Sequence, residues 1–160
     1  MTTNLWAGEP RTYRLAAGVY VVRDGQVALL QRAGGAMVGF WSMPGGMVDA
    51  DEDPLTGALR ELKEEAGLVP TGPVEFLCAL PMRAYGLEIL RFHYVAACDE
   101  GEIVISDEHS DGRWFDPAEY RAAHLSDAEV ERWGASNAND AHNVLANRAA
   151  IDALIGWLGR

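Results

Sequence analysis

The stretch GGMVDADEDPLTGALRELKEEAGL spans residues 45–68 and predicts a helix with two distinct faces. At 3.6 residues per turn, Glu61, Glu64 and Glu65 occupy positions i, i+3 and i+4, so their carboxylates share one face. A neighbouring stripe is apolar and consists of Leu55, Ala58, Leu59, Leu62 and Ala66. We therefore predict a helix from Pro54 to Ala66 that packs one side on a core and gathers acids beside it.

The acidic face indicates a bound cation. At an effective dielectric of about 20, two carboxylates about 5.5 Å apart repel each other by roughly 3 kcal/mol. A divalent cation turns that repulsion into attraction, and a set of oxygen ligands favours Mg²⁺, Mn²⁺ or Ca²⁺ over Zn²⁺. The alternative is a solvated face of an exposed helix, which the three glutamates alone do not exclude.

The wider motif resembles a known family. Gly46 is followed after five residues by Glu52, and after seven more by Arg60-Glu61-Leu62-x-Glu64-Glu65-x-Gly67-Leu68. This pattern resembles the Nudix box at every defined position. The resemblance implies an α/β/α sandwich around a mixed β-sheet and a single domain over residues 1–160, and it extends roughly from Tyr13 to Phe115. It also implies hydrolysis of a pyrophosphate bond in a nucleoside triphosphate or a related nucleoside-diphosphate derivative.

The resemblance assigns metal ligands within the box. It implies that Glu61, Glu64 and Glu65 bind Mg²⁺ or Mn²⁺, with the carbonyl of Gly45 as a further ligand. Glu61 and Glu64 are both candidates for the general base, because members of the family differ in this respect. Arg60 is a further candidate catalytic residue. The favoured interpretation is that it forms an ion pair with Glu52 and holds the preceding loop against the helix.

A second acidic segment lies outside the box. Residues 108–114 resemble part of the bacterial dihydroneopterin triphosphate pyrophosphohydrolases, and residues 147–151 resemble them more loosely. This resemblance predicts that Glu108 is an additional metal ligand or the base. The alternative is a solvated loop acid.

The composition restricts the partners. The formal charge is −11, and such a surface repels nucleic acids and anionic membranes, so neither is expected as a partner. A nucleotide substrate would need an accompanying cation for the same reason. Residues 1–14 have no apolar signal segment, and Cys78 and Cys98 lie in apolar stretches as expected for free thiols, so we expect a cytoplasmic protein.

The remaining elements follow from local patterns. Asp24-Gly25 between two apolar runs predicts a tight hairpin. Residues 73–80 and 88–97 are predicted strands joined by a loop at 81–86, and Arg113 to Phe115 is a predicted short strand. A polar loop is expected at residues 135–140, before an amphipathic helix from Ala141 onward. The order of strands and helices is typical of an α/β/α sandwich.

Within the strand at 88–97, Arg91 and His93 share one face. His93 is expected to be a surface residue or a hydrogen-bonded structural residue, with substrate contact as the alternative.

Three residues are candidates for binding the nucleotide moiety. Phe40, Arg83 and Tyr85 are expected on loops near the cleft, where aromatic rings and a guanidinium can stack on a base. Tyr85 follows the box by 17 residues, a spacing found in some diadenosine polyphosphate hydrolases. Dinucleoside polyphosphates and nucleotide sugars therefore remain alternative substrates, and a silent nucleotide-binding regulatory module is the alternative of another class. The oligomeric state stays open, and a homodimer is compatible with the sequence.

Overall fold

A computed structural model describes residues 11–160, which form a seven-stranded mixed β-sheet with helices on both faces. In chain order the elements are β1 (Arg14–Arg23), β2 (Gln26–Arg32), β3 (Trp41–Ser42), β4 (Gly45–Met47), α1 (Pro54–Ala66), β5 (Glu75–Ala84), β6 (Leu87–Ala97), β7 (His109–Phe115), α2 (Pro117–His124), α3 (Asp127–Gly134) and α4 (Ala138–Leu158). The strand order is β3-β2-β1-β6-β5, with β4 paired to β1 and β7 paired to β2. Only β1 and β6 pair in parallel within these residues, which makes the sheet mixed.

The two faces of the sheet carry separate apolar clusters. Helix α1 buries Ala58 and Leu62 against side chains of β1 such as Val19. Helix α4 buries Leu154 on the opposite face, in a cluster that includes Tyr20. Because successive side chains of a strand point to opposite faces, β1 supplies both clusters. The predicted α/β/α sandwich is confirmed.

Helix α1 has the ends that the sequence predicts. Oδ1 of Asp53 accepts hydrogen bonds from the backbone N–H groups of Leu55 and Thr56, at 2.9 and 3.0 Å. Pro54 occupies the first turn, where its missing N–H leaves no bond unmade. Gly67 ends the helix with φ of 66°, a left-handed conformation that favours glycine. The helix therefore spans the predicted residues.

Two tight hairpins border the sheet, and only the first was expected. Asp24 and Gly25 have φ of 49° and 76°, as in the predicted turn. Tyr85 and Gly86 have φ of 55° and 72° and form a second two-residue turn. The predicted loop at 81–86 is thus wrong, since β5 continues to Ala84. Pro81 lies inside β5, which is an edge strand of the described sheet, where a missing N–H is tolerated.

Two other boundaries differ from the prediction. The side chain of Asn137 caps α4 by accepting from the N–H of Asn139, so residues 138–140 form the first turn of a helix instead of a loop. Strand β7 begins at His109, four residues before the predicted start, because it pairs with β2 along Leu29 to Arg32. In both cases a tertiary or capping contact orders polar residues that local composition assigns to loops.

The environment of His93 contradicts the prediction. Its side chain is fully buried, on the same face of β6 as Arg91, and neither ring nitrogen has a hydrogen-bond partner among the described residues. It stacks on Tyr20 with ring centroids 5.9 Å apart. His93 is therefore a core residue, because its face of β6 also carries Val95, which belongs to the apolar cluster beneath α4.

The described residues contain two cysteines and no helix of membrane-spanning character. Cys78 and Cys98 are free thiols, as predicted. Within residues 11–160, no helix has the length and apolar composition that crossing a bilayer requires.

Candidate active site

A cavity of about 390 Å³ opens between β4, α1, the β5–β6 hairpin and α4. Its acidic lining consists of Glu61, Glu65 and Glu108. Its apolar lining includes Met37, Phe40, Met82, Tyr85 and Ile89. Further polar groups come from Arg32, Arg91, Asn143 and Asn147. An acidic wall next to an apolar wall is expected for a ligand that has one charged part and one apolar part.

Glu65 is the most buried acid of the cavity, with 8% of its surface exposed. Its Oε2 accepts a hydrogen bond from the N–H of Gly45 at 2.7 Å. Burial raises the pKa of Glu65 to about 7, and the charges of Glu61 and Glu108 act in the same direction. The hydrogen bond from Gly45 and the charge of Arg91 oppose this rise. A positive charge placed beside Glu65 would therefore be strongly favoured.

Glu61 lies against the glycine turn that opens the box. A Cβ atom on Gly46 would stand 2.5 Å from Oε1 of Glu61, so only glycine leaves room for this carboxylate. On Gly45, a Cβ atom would collide with the backbone of Ala17 and Gly18 in β1. Burial raises the pKa of Glu61, although Arg60 opposes the rise. The two glycines thus let β4 lie close to both β1 and the acidic face of α1.

Arg60 connects the box loop to the acids. Its Nε lies 2.7 Å from Oε1 of Glu52, which confirms the predicted ion pair. Its Nη1 lies 2.9 Å from Glu61 and 3.2 Å from Glu64. Glu64 stands at the rim, with 58% of its side chain exposed, and is not part of the cavity lining. Arg60 therefore neutralises part of the acidic face and orients two of its carboxylates.

The loop before β7 brings Glu108 to the cavity. The N–H of Ser106 donates to the carbonyl of Glu65 at 3.1 Å, and the N–H of Ala33 donates to the carbonyl of Glu108 at 2.9 Å. His109 is buried behind this loop, with Nδ1 3.3 Å from Oγ of Ser106. These contacts attach the loop to the end of α1, so an acid distant in sequence joins the acids of the box.

Two of the three candidate nucleotide-binding residues line the cavity, and the third does not. Phe40 is buried and Tyr85 is 70% exposed, and both line the cavity. Arg83 does not line it, because its Nε lies 2.9 Å from Oε1 of Glu88 and the residue belongs to β5 instead of a loop. Its backbone N–H and carbonyl are both hydrogen-bonded to the side chain of Asn143.

Several polar residues of the cavity were missed by the sequence reasoning, among them Arg32 at the end of β2. Arg91 lies in the middle of β6, and Asn143 and Asn147 lie one turn apart on α4. The available signal was a charged side chain two residues before His93, inside a strand that is otherwise mainly apolar. A polar residue at such a position lies either in solvent or in a pocket, and local sequence does not distinguish the two cases.

The donor set fits a hard divalent cation. Among residues 11–160, no three His, Cys, Asp or Glu side chains already form a metal-binding cluster. Two contacts account for the present directions of the carboxylates: Gly45 engages Glu65, and Arg60 engages Glu61. The acids of the cavity nevertheless offer only oxygen donors, which a hard cation prefers. Burial raises the pKa of both Glu61 and Glu65, and a bound cation would lower both.

Comparison with known proteins identifies the family. A family model described as the NUDIX domain matches residues 12–134 of the 160-residue chain. This chain belongs to the Nudix hydrolase family. The resemblance of the box is thereby confirmed, and the match continues beyond Phe115 into α2 and α3.

Two relatives show how far the Nudix similarity extends. The CTP pyrophosphohydrolase of Escherichia coli K12 is 31% identical over 111 residues, which cover 69% of this chain and 81% of the relative. A MutT-like protein of Streptomyces ambofaciens is 44% identical over 52 residues, which cover 32% of each chain. The chain thus spans about a third of the length of this second relative.

Solved structures agree with the fold of this Nudix hydrolase. A MutT NUDIX hydrolase from Burkholderia pseudomallei has a TM-score of 0.62 at 29% identity, covering 68% of this chain and 86% of that chain. An Ap4A hydrolase binary complex from C. elegans has a TM-score of 0.67 at 20% identity, covering 91% and 98%. The second likeness concerns the fold alone.

Proposed function

We propose that this protein hydrolyses a pyrophosphate bond in a nucleoside triphosphate or a related nucleoside-diphosphate derivative, with Mg²⁺ or Mn²⁺. The observation that carries this proposal is the placement of Glu61 and Glu65 in one cavity with an apolar wall. A triphosphate substrate is in line with the CTP pyrophosphohydrolase activity of the E. coli relative.

The acids of the cavity are the proposed ligands. Glu61, Glu65 and Glu108 would hold the cation, with Glu64 at the rim and the carbonyl of Gly45 as further ligands. A bound divalent cation neutralises phosphate charge and lowers the pKa of a coordinated water. Arg60 offsets only part of the acidic charge, so a polyphosphate beside these acids would need the cation as well.

The chain's own residues supply orientation and proton transfer. Glu61, Glu64 and Glu108 are the proposed acceptors for the proton of the attacking water, since a carboxylate can act as general base. Arg60 orients Glu61 and Glu64 through its two Nη1 contacts. Phe40 and Tyr85 offer aromatic surfaces to the base. Arg83 is not included, because it pairs with Glu88 outside the cavity.

Product analysis tests the reaction type. Nucleoside triphosphates, dinucleoside polyphosphates and nucleotide sugars are incubated with the protein and Mg²⁺ or Mn²⁺, and phosphate and pyrophosphate are quantified separately. Nucleoside monophosphate plus pyrophosphate is the expected result. A substituted phosphate plus a nucleotide would instead assign a nucleotide-sugar or dinucleoside polyphosphate hydrolase. Tight nucleotide binding without turnover at any metal concentration would assign a regulatory module.

Matched variants test the residues. Glu61→Gln and Glu65→Gln keep the side-chain shape and remove the charge, and each is expected to lower kcat/KM by about 100-fold or more. Glu131→Gln is the control, since Glu131 is an exposed acid of α3 outside the cavity. Turnover like that of the wild type in both cavity variants would remove these residues from the mechanism.

A further inference from the structure

Arg91 is a buried cation in the lining of the cavity. Only 9% of its surface is exposed, at the centre of β6. Its Nη2 donates a long hydrogen bond of 3.4 Å to the carbonyl of Met43, and its buried Nε has no partner among the described residues. A guanidinium carries five N–H donors, so most of its capacity for hydrogen bonding is unused.

The protein does not pair Arg91 with an acid. Across residues 11–160, no carboxylate forms an ion pair with its guanidinium. Burial of an arginine without a carboxylate partner is unfavourable, because the charge loses its hydration and gains little in return. A group that stabilises this charge is therefore expected from a ligand of the cavity.

The neighbours of Arg91 place its guanidinium beside the acidic wall. The side chain reaches across β1 above Gly18, where a Cβ atom would stand only 3.3 Å from Nη2. The same Cβ atom would also meet Pro44 and Met43, which precede Gly45, so these residues and the guanidinium crowd around Gly18 together. Arg91 also lowers the pKa of Glu65 through its charge. The guanidinium thus lines the same cavity as the acids without forming an ion pair with them.

We propose that Arg91 is a substrate-binding residue that contacts a phosphate oxygen of the bound nucleotide. A phosphate matches the guanidinium in charge and in geometry, since two N–H groups can donate to two oxygens. In the proposed site the base lies on the apolar wall and the cation lies at the acids. Arg91 would therefore contact the phosphate next to the nucleoside. This inference rests on the proposed function for its ligand, but it concerns binding and does not depend on turnover.

Binding without metal tests the proposal directly. Calorimetry in EDTA compares cytidine with CMP and guanosine with GMP, so that each pair differs by one phosphate. Arg91→Met is expected to weaken binding of both monophosphates by about 10- to 100-fold and to leave the nucleosides within about twofold. Arg91→Lys keeps the charge but loses the paired N–H donors of the guanidinium. The affinity for the monophosphates should therefore fall by a smaller factor, about 3- to 10-fold.

A matched control and two contrary outcomes complete the test. Arg83→Met removes an arginine from the neighbouring strand that does not line the cavity, and unchanged affinities are expected. Equal weakening of nucleoside and monophosphate would overturn the proposal, and so would wild-type protein that binds monophosphates no better than nucleosides. If Arg91→Met does not fold, the ratio of monophosphate to nucleoside affinity in Arg91→Lys decides. Absence of hydrolysis would count against the proposed function alone.

Discussion

The N–H of Gly45 donates to Oε2 of Glu65 across 2.7 Å and joins β4 to the end of α1. This single contact directs the most buried acid of the helix toward the cavity. Gly45 can make it because β4 lies so close to β1 that any Cβ atom would collide with backbone. The strand pairing of β4 therefore determines where an acid of α1 points.

The neighbouring glycine gives a first prediction. In Gly46→Ala, the new Cβ atom would stand 2.5 Å from Oε1 of Glu61 and displace that carboxylate. We expect kcat/KM to fall by about 10-fold or more, with a small change in Tm. Gly156→Ala is the control, because a Cβ atom there meets no other atom within 4 Å. Wild-type kcat/KM in Gly46→Ala would show that the position of Glu61 does not matter.

Arg60 gives a second prediction. Its guanidinium contacts Glu52, Glu61 and Glu64, and lysine cannot reproduce this set of hydrogen bonds. Arg60→Lys is expected to lower the free energy of unfolding by roughly 1–3 kcal/mol, measured by urea denaturation. Arg132→Lys is the control, since exposed Arg132 contacts Glu129 and the ring of Trp133 but no acid of the cavity, and a change within about 0.5 kcal/mol is expected. Equal losses in both variants would contradict the role assigned to Arg60.

His93 gives a third prediction, on pH. Burial and, to a smaller extent, the charge of Arg91 together lower the pKa of His93 to about 3. The unfolded chain takes up this proton near pH 6.5, so the free energy of unfolding falls as the pH drops from 6.5 towards 3. His93→Leu lacks this penalty and removes two buried nitrogens without partners.

The measurement is urea denaturation at two pH values. Between pH 7 and pH 5, the free energy of unfolding of the wild type should fall by roughly 2 kcal/mol more than that of His93→Leu. This figure follows from about 1.4 kcal/mol per pH unit below pH 6.5. Parallel stability profiles of the two proteins would mean that His93 takes up its proton at the same pH in the folded and the unfolded state.

Tyr85 gives a fourth prediction. Its hydroxyl accepts a hydrogen bond from the N–H of Ala36 at 3.0 Å and links the second hairpin to the loop after β2. Tyr85→Phe removes the acceptor, so amide exchange at Ala36 should accelerate about 5- to 10-fold. Tyr94→Phe on β6 is the control, and it should leave this amide unchanged. An unaltered exchange rate in Tyr85→Phe would contradict the link.

Local sequence signals predicted the elements that are stabilised by residues close together in the chain. The helix α1 follows from its cap residues Asp53 and Gly67 and from its apolar stripe, and the first hairpin follows from Asp24-Gly25. The predicted loops at 81–86 and 135–140 were wrong because the effects of Pro81 and Asn137 depend on context. A proline is tolerated in an edge strand, and an asparagine can cap a helix, but edge position and cap geometry exist only after folding.

The sequence by itself determined the family, the sandwich and the acids on one face of α1, because helical spacing fixes which side chains are neighbours. Tertiary structure alone decided which groups meet at the cavity. It attached the loop of Glu108 to the end of α1, placed Arg83 outside the cavity and buried Arg91 in its lining. The reason is that strand register and loop attachment set distances between residues far apart in the chain, and no local pattern encodes those distances.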